Sequence, residues 1–272
     1  MISFRRRSPA LELMDQPERV SREEMVGALT GLRRVNRWLG GIGPTVAALE
    51  PILRRAMADR PATLRLCDVG CGAGDVAIGI VKSARRRRLP ICIVAVELNG
   101  DLAAEARRAT ARFPEIIVLH ADARDILRSA SSGRGRATSG APSRAPLPAV
   151  AEPFHAVYCS LFLHHFPAGE VVDWLSLMAG AATHGVVVND LERHIAAWLG
   201  IKAIGGLVTR NRVFHHDAPL SVRRAYTPAE WRSMVARAGL KGARLQRRWA
   251  WRVLVSWERR SPDRLAPRLA SR

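Results

Sequence analysis

The sequence predicts an α/β fold, a doubly wound and mostly parallel seven-stranded sheet with helices on both faces. Short apolar runs typical of buried strands alternate with segments of helical periodicity between residues 59 and 257. A strand, a glycine-rich loop and a helix follow one another from Leu64 to Ile80. Two further strand-like runs, at about 243–249 and 251–257, close the chain without a helix between them. Strands joined so closely must pair antiparallel, which indicates a terminal hairpin at one edge of the sheet.

The other strands and helices follow from the same periodicity. The predicted strands are 64–69, 91–96, 116–119, 154–159 and 185–188, and the predicted helices between them include 101–112 and 169–182. A last helix begins after Thr227, with proline at its first position and glutamate at its third, and ends near Gly239. These elements form one main domain, 59–257.

An N-terminal helical region, 1–58, precedes the first predicted strand. Residues 11–39 have an apolar helical face, with a possible capping box between Ser21 and Glu24. A glycine-rich break at 40–44 separates this helix from a second one at about 45–57. We expect the region to form a helical lid over a pocket of the main domain, although plain core packing would explain the same pattern.

Two segments interrupt the alternation of strands and helices. Residues 129–150 are rich in Ser, Gly, Pro and Arg, which predicts a flexible surface insertion. Residues 191–222 contain an apolar run around Trp198 and then a basic and histidine-rich stretch, which we interpret as a helical insertion that forms a pocket wall. Residues 258–272 are expected to be a basic tail.

Charge, cysteines and apolar runs bound the class of protein. The chain of 272 residues carries a net charge of +19, but the basic residues show no clustering into one footprint, so we do not expect nucleic acid as a partner. The four cysteines lie in or beside predicted buried strands without a C-x-x-C pair, which favours reduced thiols in a cytoplasmic protein. The N-terminus lacks the apolar core of a signal peptide, and no apolar run is long enough to span a membrane, so any membrane contact would be peripheral.

The glycine-rich loop reads DVGCGAGD and follows the first predicted strand directly. Asp68 ends that strand, and Gly70, Gly72 and Gly74 follow at alternate positions. Glycines at the start of a helix let backbone N–H groups approach a ligand, because no Cβ keeps it away. The dinucleotide fingerprint needs a small residue where Asp75 stands. The loop therefore fits a dinucleotide-binding enzyme poorly. That class, and a tight turn that binds no ligand, remain as the less favoured interpretations of the loop.

Acidic residues follow the next two predicted strands. Glu97 ends the second strand, at the distance from Gly70 where an acid can accept both hydroxyls of a ribose. Asp122 follows the third strand and has two compatible interpretations, a helix N-cap and a contact to a bound ligand.

Five features together resemble class I S-adenosylmethionine-dependent methyltransferases. They are the DVGCGAG loop, Glu97, the HADA after strand three, the SLFLHH after strand four, and the closing TPAEW with its AGL. The likeness is to their small-molecule branch, near the enzymes of ubiquinone and menaquinone biosynthesis. The resemblance implies a Rossmann-like methyltransferase fold, S-adenosyl-L-methionine as cofactor, and an enzyme of class EC 2.1.1.-. The cofactor-binding residues that it implies are Asp68, Gly70, Gly72, Gly74, Glu97, Leu98, Asp122, Ala123, Ser160 and Leu161.

The implied reaction is methyl transfer to a small molecule, to the hydroxyl or an activated ring carbon of a phenolic, quinol or polyketide-type compound. A hydroxyl acceptor must lose its proton, and histidine suits that task near neutral pH. His164 and His165 follow strand four and His215 lies on the predicted wall, so we expect the base among them, His165 or His164 first. We expect no metal, because catechol-type enzymes need an acid where Ser160 stands.

Two other functions remain open at this stage. A nucleic-acid methyltransferase would suit the positive charge, but the residues after strand four do not match the [DN]-P-P-[FYW] motif of the exocyclic-amine enzymes. A non-catalytic cofactor-binding protein would share the fold, since a fold does not establish an activity. The acids Asp68, Glu97 and Asp122 argue against that second alternative.

Overall fold

The computed structural model describes residues 4–132 and 152–259, and these ranges contain one seven-stranded sheet. The strand order is β3-β2-β1-β4-β5-β7-β6, in which the first five strands are parallel and β7 is antiparallel to both of its neighbours. The strands are β1 Leu64–Val69, β2 Ile91–Glu97, β3 Ile116–His120, β4 Phe154–Ser160, β5 Ala182–Leu191, β6 Arg244–Arg248 and β7 Arg252–Glu258. The predicted fold, with its terminal antiparallel pair, is confirmed.

Helices cover both faces of the sheet, because the side chains of each central strand alternate between two apolar layers. In β1, Leu66 belongs to the apolar layer that contains Leu49 and Ile80, whereas Cys67 belongs to the other layer, which contains Leu127 and Trp174. The helices are α1 Arg22–Trp38, α2 Gly43–Met57, α3 Asp75–Arg86, α4 Gly100–Thr110, α5 Ala123–Ser132, α6 Ala168–Ala181, α7 Ile195–Val208, α8 Arg212–Arg224 and α9 Pro228–Arg237.

The N-terminal region divides between two locations. The capping box is present, with the Ser21 hydroxyl accepting from the Glu24 amide at 3.2 Å, and it begins α1 at Arg22. The preceding residues form 3₁₀ turns, Leu13–Asp15 and Pro17–Arg19, instead of the predicted continuation of the helix. Helix α1 lies against α8, whereas α2 packs under the sheet through buried leucine and isoleucine side chains. The second helix of the region that we expected to be a lid is therefore part of the core.

Strand β5 is longer than the prediction, because β7 pairs along its whole second half. The pairs Asn189↔Leu254 and Asp190↔Val253 keep both polar residues inside the strand, where we expected them to follow it. The predicted helical insertion at 191–222 consists largely of α7 and α8, which pack against each other and against α1. Of the predicted insertion at 129–150, residues 129–132 continue α5 and the others lie outside the described residues, as does the predicted tail after 259.

Candidate active site

A cleft of about 840 Å³ opens at the carboxyl ends of β1, β2 and β4, where open α/β sheets bind ligands. The glycine-rich loop forms one side of this cleft. Helix α1, helix α7 and the turn between β6 and β7 form the other. The pocket wall predicted for the segment around Trp198 thus corresponds to the α7 side of the cleft.

The glycine-rich loop adopts left-handed backbone conformations that explain its residue types. Gly70, Gly72 and Gly74 have φ angles of +66°, +54° and +73°. A Cβ at Gly72 would point into open space, with Leu29 at 4.0 Å as its nearest described neighbour. Gly74 instead packs against Thr110, and it does not line the cleft as Gly70 and Gly72 do. The loop can therefore bring a ligand against its backbone at Gly72, while Gly74 serves the turn into α3.

Asp68 ends β1 beneath this loop and has an unsatisfied carboxylate oxygen. Its side chain is buried, and Oδ2 has no hydrogen-bond partner within the described part of the chain. Burial raises the pKa of Asp68 to about 8; the Tyr158 hydroxyl opposes that shift, and the nearby carboxylates of Asp75 and Glu97 add to it. A buried acid of this kind gains a favourable partner when a cationic group enters the cleft beside it.

Glu97 ties the end of β2 to the glycine-rich loop. Its Oε2 accepts from the Gly72 amide at 3.0 Å, and its Oε1 accepts from the Asn99 amide at 3.0 Å. Each carboxylate oxygen keeps a lone pair for a further donor, so a pair of ligand hydroxyls can bind without breaking these bonds. The adjacent Leu98 is 69% exposed and lines the cleft, where an apolar ring system would cover it.

The two residues after β3 also reach the cleft. Asp122 Oδ1 accepts from the Arg124 amide at 2.8 Å in the first turn of α5, which confirms the interpretation of Asp122 as a helix cap. The Asp122 side chain remains 39% exposed and lines the cleft beside Ala123. The capping role and a contact to a ligand are therefore compatible.

The residues after β4 form a strained turn at the centre of the cleft. Leu161 has a φ of +54°, which a non-glycine residue seldom adopts and which marks many functional sites. Its amide donates to the Asn189 carbonyl at 3.0 Å. Ser160 Oγ is buried and lacks a hydrogen-bond partner among the described residues. The turn thus places a free hydroxyl and an apolar side chain at the cleft, and the expected contact of Ser160 and Leu161 with the cofactor stays a prediction.

A group of charged residues at the α1 side of the cleft was not predicted from the sequence. Asp75 Oδ2 is buried and unpaired in the described structure, and burial raises the pKa of Asp75. Arg252 Nη2 donates to Asn36 Oδ1 at 2.9 Å, whereas its Nη1 has no partner within the described ranges. Burial lowers the pKa of Arg252 to about 10. In the sequence, the one indication of this charged group is Arg252, an arginine inside an apolar predicted strand.

His164 is held by Asp190, which lies near the carboxyl end of β5. The ring Nδ1 lies 2.7 Å from Asp190 Oδ1, and the His164 amide donates to Asp190 Oδ2 at 3.1 Å. Burial raises the pKa of the Asp190 carboxyl, but the adjacent His164 ring and its hydrogen bond outweigh burial, so the pKa of Asp190 is lowered. A hydrogen bond to this carboxylate places a proton on Nδ1, so Nε2 is the ring nitrogen that can exchange a proton with a ligand. Nε2 lies 3.7 Å from Glu12 Oε1 and belongs to a residue that lines the cleft.

His165 faces a different set of charges. Its Nδ1 lies 3.0 Å from Asp15 Oδ1, and its Nε2 lies 3.9 Å from Glu12 Oε2. Burial opposes protonation, but Glu12 and Asp15 together raise the pKa of His165 to about 9. Arg224 completes the group at 3.1 Å from Asp15 Oδ2. His165 is therefore an imidazolium at neutral pH and has no lone pair for an acceptor proton.

Glu12, His164 and His165 are the described residues that could hold a metal ion, since their ligand atoms lie within 4.8 Å of one another. Their surroundings already carry positive charge. Arg224 Nε lies 3.7 Å from Glu12 Oε1, and Arg7 donates to the His164 carbonyl. Two guanidinium groups at this distance oppose a divalent cation, so the cluster is better suited to protons than to a metal.

His215 is not brought to this cluster. Its Nε2 lies 2.7 Å from the Thr209 carbonyl oxygen, on the exposed side of α8, and His215 is not among the residues that line the cleft. The predicted catalytic role of His215 therefore has no support from its position. Asp15 and Glu12, which sequence reasoning did not single out, occupy the corresponding place at the cleft.

No protein-family model and no curated protein matches the chain. Solved structures are similar at low sequence identity. Human N-acetylserotonin methyltransferase, in complex with S-adenosylmethionine, is 14% identical with a TM-score of 0.55 over 93% of this chain and 61% of the human chain. The plantazolicin methyltransferase BamL is 10% identical with a TM-score of 0.53 over 87% of this chain and 96% of its own. The related BpumL is 9% identical with the same TM-score over 91% of this chain and 100% of its own.

These similarities show the fold. The chain has the architecture of class I S-adenosylmethionine-dependent methyltransferases, as the resemblance of its motifs implied. It spans about 61% of the length of the human enzyme. The nearer assignment to the ubiquinone and menaquinone branch stays a prediction.

Proposed function

We infer that the protein is an S-adenosylmethionine-dependent methyltransferase that acts on a small molecule. One observation supports this most strongly. A buried, unsatisfied Asp68 carboxylate and the ribose-type acid Glu97 flank an open glycine-rich loop in a fold shared with such enzymes. The residues present fit the cofactor, because the unsatisfied Asp68 oxygen can accept from its ammonium and the Glu97 oxygens keep lone pairs for its ribose hydroxyls.

The cofactor, when bound, supplies a methyl group on a sulfonium that is already a good leaving group. In our proposal Asp68 pairs with its ammonium, and Arg252 Nη1 is available for its carboxylate. Glu97 binds the ribose hydroxyls. Leu98, Asp122 and Ala123 surround the adenine. Ser160 and Leu161 lie beside the sulfur. The protein contributes mainly alignment, which is worth up to about 7–11 kcal/mol of the barrier.

The opposite side of the cleft has the character of an acceptor site. It is apolar where α7, α1 and the β6–β7 turn meet, with Leu32, Ile201, Ile204 and Trp251 among its lining residues. The polar groups of His164 and Glu12 stand at its inner end. An apolar ring that carries one ionisable hydroxyl fits this combination, so we propose a phenolic, quinol or polyketide-type acceptor.

His164 is the base in this proposal. Asp190 holds its ring in the tautomer whose Nε2 can accept a proton, as the orienting acid of a catalytic triad does. A positioned base of this kind contributes about 10²–10⁴ in rate. His165, which ranked first as the base on sequence alone, would remain protonated and stabilise the acids around it instead.

The names of the neighbouring proteins cover different acceptors. One acts on N-acetylserotonin and another on plantazolicin, so they do not select an acceptor for this chain. Within the described residues no helix is long and apolar enough to cross a bilayer, and the cysteines there are free thiols. The free thiols support our proposal of a cytoplasmic location.

Methyl transfer can be tested with methyl-labelled S-adenosylmethionine and a panel of phenols and quinols, followed by mass spectrometry of the products. We expect a labelled product with the wild-type protein and much less with Asp68→Asn when the cofactor concentration is near its Kd for the wild-type protein. A cofactor that binds, with no product from the panel or from a cell extract, would favour a non-catalytic protein of this fold.

A further inference from the structure

Helix α7 presents an unusually apolar face to solvent. Its 14 residues carry a single charge, on Lys202. Ile195, Leu199 and Leu207 recur at helical spacing and are 52%, 55% and 88% exposed. The outward face of a surface helix normally carries several charged residues. This face therefore has the composition of a contact surface, and nothing in the described part of the chain covers it.

Exposed tryptophans extend the same surface. Trp249 and Trp251, at the β6–β7 turn, are 75% and 39% exposed, and the Trp251 ring stacks on His194 just before α7. Trp38 is 72% exposed at the end of α1, and the next turn passes close to Trp249 at Gly40. We call this set the apolar rim, and it consists of Trp38, Ile195, Leu199, Leu207, Trp249 and Trp251. Indole rings combine an apolar body with a polar N–H group, and they favour the boundary between water and lipid.

The apolar rim lies on segments whose own charges have one sign, and acids at their borders pair with arginines of these segments, Glu24 with Arg212 and Glu192 with Arg247. The three segments that supply it, 25–49, 193–216 and 243–257, contain no aspartate or glutamate. Exposed basic side chains stand in each segment, namely Arg34, Arg37, Lys202, Arg210 and Arg248. Lys202 lies over the Trp198 ring at 4.6 Å and Arg37 over the Trp38 ring at 5.7 Å, so cations and indoles are interleaved. Anionic lipid headgroups complement this combination.

We propose that the apolar rim docks on a bilayer surface that contains anionic lipids, with α7 lying in the interfacial plane. A second copy of the chain is a poorer occupant, because two rims of the same charge would repel each other in a protein of net charge +19. Trp249 and Trp251 also line the cleft. Docking would therefore turn the mouth of the cleft toward the membrane. The docking proposal does not depend on any step of the proposed methyl transfer.

Co-sedimentation with vesicles tests this proposal on the full chain. The probes are vesicles of phosphatidylcholine alone and an equal mixture of phosphatidylcholine and phosphatidylglycerol. Ala203→Glu and Leu207→Glu place an acid on the outward face of α7, and Ala236→Glu, on the exposed side of α9, is the matched control. We expect wild type and the control to bind the mixed vesicles. We expect the affinity of both α7 variants for the mixed vesicles to fall by about tenfold or more. One charge changed at such a surface alters the affinity by about fivefold, and an apolar contact is lost as well.

Other results would overturn the proposal. If all three variants lose vesicle binding equally, or all three retain it equally, then binding depends on the overall charge of the protein and the apolar rim has no role in it. A dimer in analytical ultracentrifugation that Ala203→Glu dissociates, with no vesicle binding by wild type, would assign the rim to a second copy. Circular dichroism of each variant confirms folding. Vesicle binding needs neither cofactor nor acceptor, so its failure would leave the proposed methyl transfer untouched.

Discussion

His164 and His165 are adjacent in sequence, and their different partners assign them different chemistry. Asp190 contacts Nδ1 of His164, a residue that lines the cleft, and Nε2 of that ring lies 3.7 Å from Glu12 Oε1. Glu12 and Asp15 surround His165 and raise its pKa to about 9. The base that we propose is therefore His164, because the protonated ring of His165 has no lone pair for a proton that leaves an acceptor hydroxyl. The imidazolium of His165 offsets the negative charge of the N-terminal acids.

Replacement of these two histidines should separate their roles. His164→Gln keeps a donor for Asp190 but removes the base, so kcat at pH 7 should fall by about 10²–10⁴ while cofactor affinity stays unchanged. His165→Gln should change kcat much less. The His164→Gln defect should shrink as pH approaches the pKa of the acceptor, about 10 for a phenol, because the acceptor then ionises without help. A defect that is equal at every pH, or an equal loss for both variants, would contradict the assignment of His164 as base.

Most residues of the cofactor side could be predicted from local sequence, and most residues around the histidines could not. A glycine loop and strand-end acids are motifs with short spacing, so Asp68, Glu97 and Asp122 could be predicted to meet at one sheet edge. Asp15 reaches His165 across 150 positions, and Glu12 comes from the same distant turn. No local pattern reports such a contact. It depends on how the N-terminal segment crosses the finished sheet.

Among the elements of the fold, the glycine-rich loop shows the most direct link between backbone conformation and the proposed binding of a ligand. The open space above Gly72 lies beside the Glu97 carboxylate that its amide contacts. The loop is also what the sequence predicted best, because positive φ angles restrict the residue type at each position. The 3₁₀ turns before α1 were missed, since the helical apolar pattern continues through them. Strand β5 was predicted too short, because pairing with β7 stabilises polar residues that lack strand propensity.

Gly72→Ala tests the loop directly. The new Cβ would occupy the space left for the ligand, and the φ of +54° would cost about 1–2 kcal/mol in the folded state. We expect a lower melting temperature by a few degrees and a loss of cofactor affinity of about tenfold or more, measured by calorimetry. Gly169→Ala in α6 is the matched control, since a Cβ there would meet no described atom within 4 Å and its φ is ordinary. Cofactor affinity of Gly72→Ala equal to that of the control would contradict the assigned role of the loop.

For the whole molecule, the sheet edge collects buried carboxyl groups whose oxygens are incompletely hydrogen-bonded within the described residues. Asp68 and Asp75 each have a buried oxygen without a partner in the described structure, although the chain carries a net charge of +19. Most of the arginines lie at the surface, so the net charge of the chain did not predict that these buried carboxyl groups would lack partners. The fold class, the strand order and the terminal hairpin followed from periodicity over the whole chain. The orientation of the apolar rim did not, because exposure of an apolar helix depends on what packs beside it.

Proton release on cofactor binding is the sharpest test of the role proposed for Asp68. A carboxyl group whose pKa is raised to about 8 is protonated in the apo protein below that pH, and it must ionise to pair with an ammonium. Calorimetric titration with S-adenosylmethionine and with S-adenosylhomocysteine, at pH 6.5–7 in two buffers of different ionisation enthalpy, gives the number of protons exchanged. The ligand ammonium remains largely protonated there, since a free α-amino group has a pKa of about 7.7–8.0.

We expect release of about one proton with either ligand, and an affinity that rises with pH by up to about tenfold per unit below pH 8. Asp68→Asn should release none and should bind about 10–150-fold more weakly, the loss of one charged hydrogen bond. Wild-type binding without proton release, together with unchanged affinity in Asp68→Asn, would contradict the pairing of Asp68 with the cofactor ammonium.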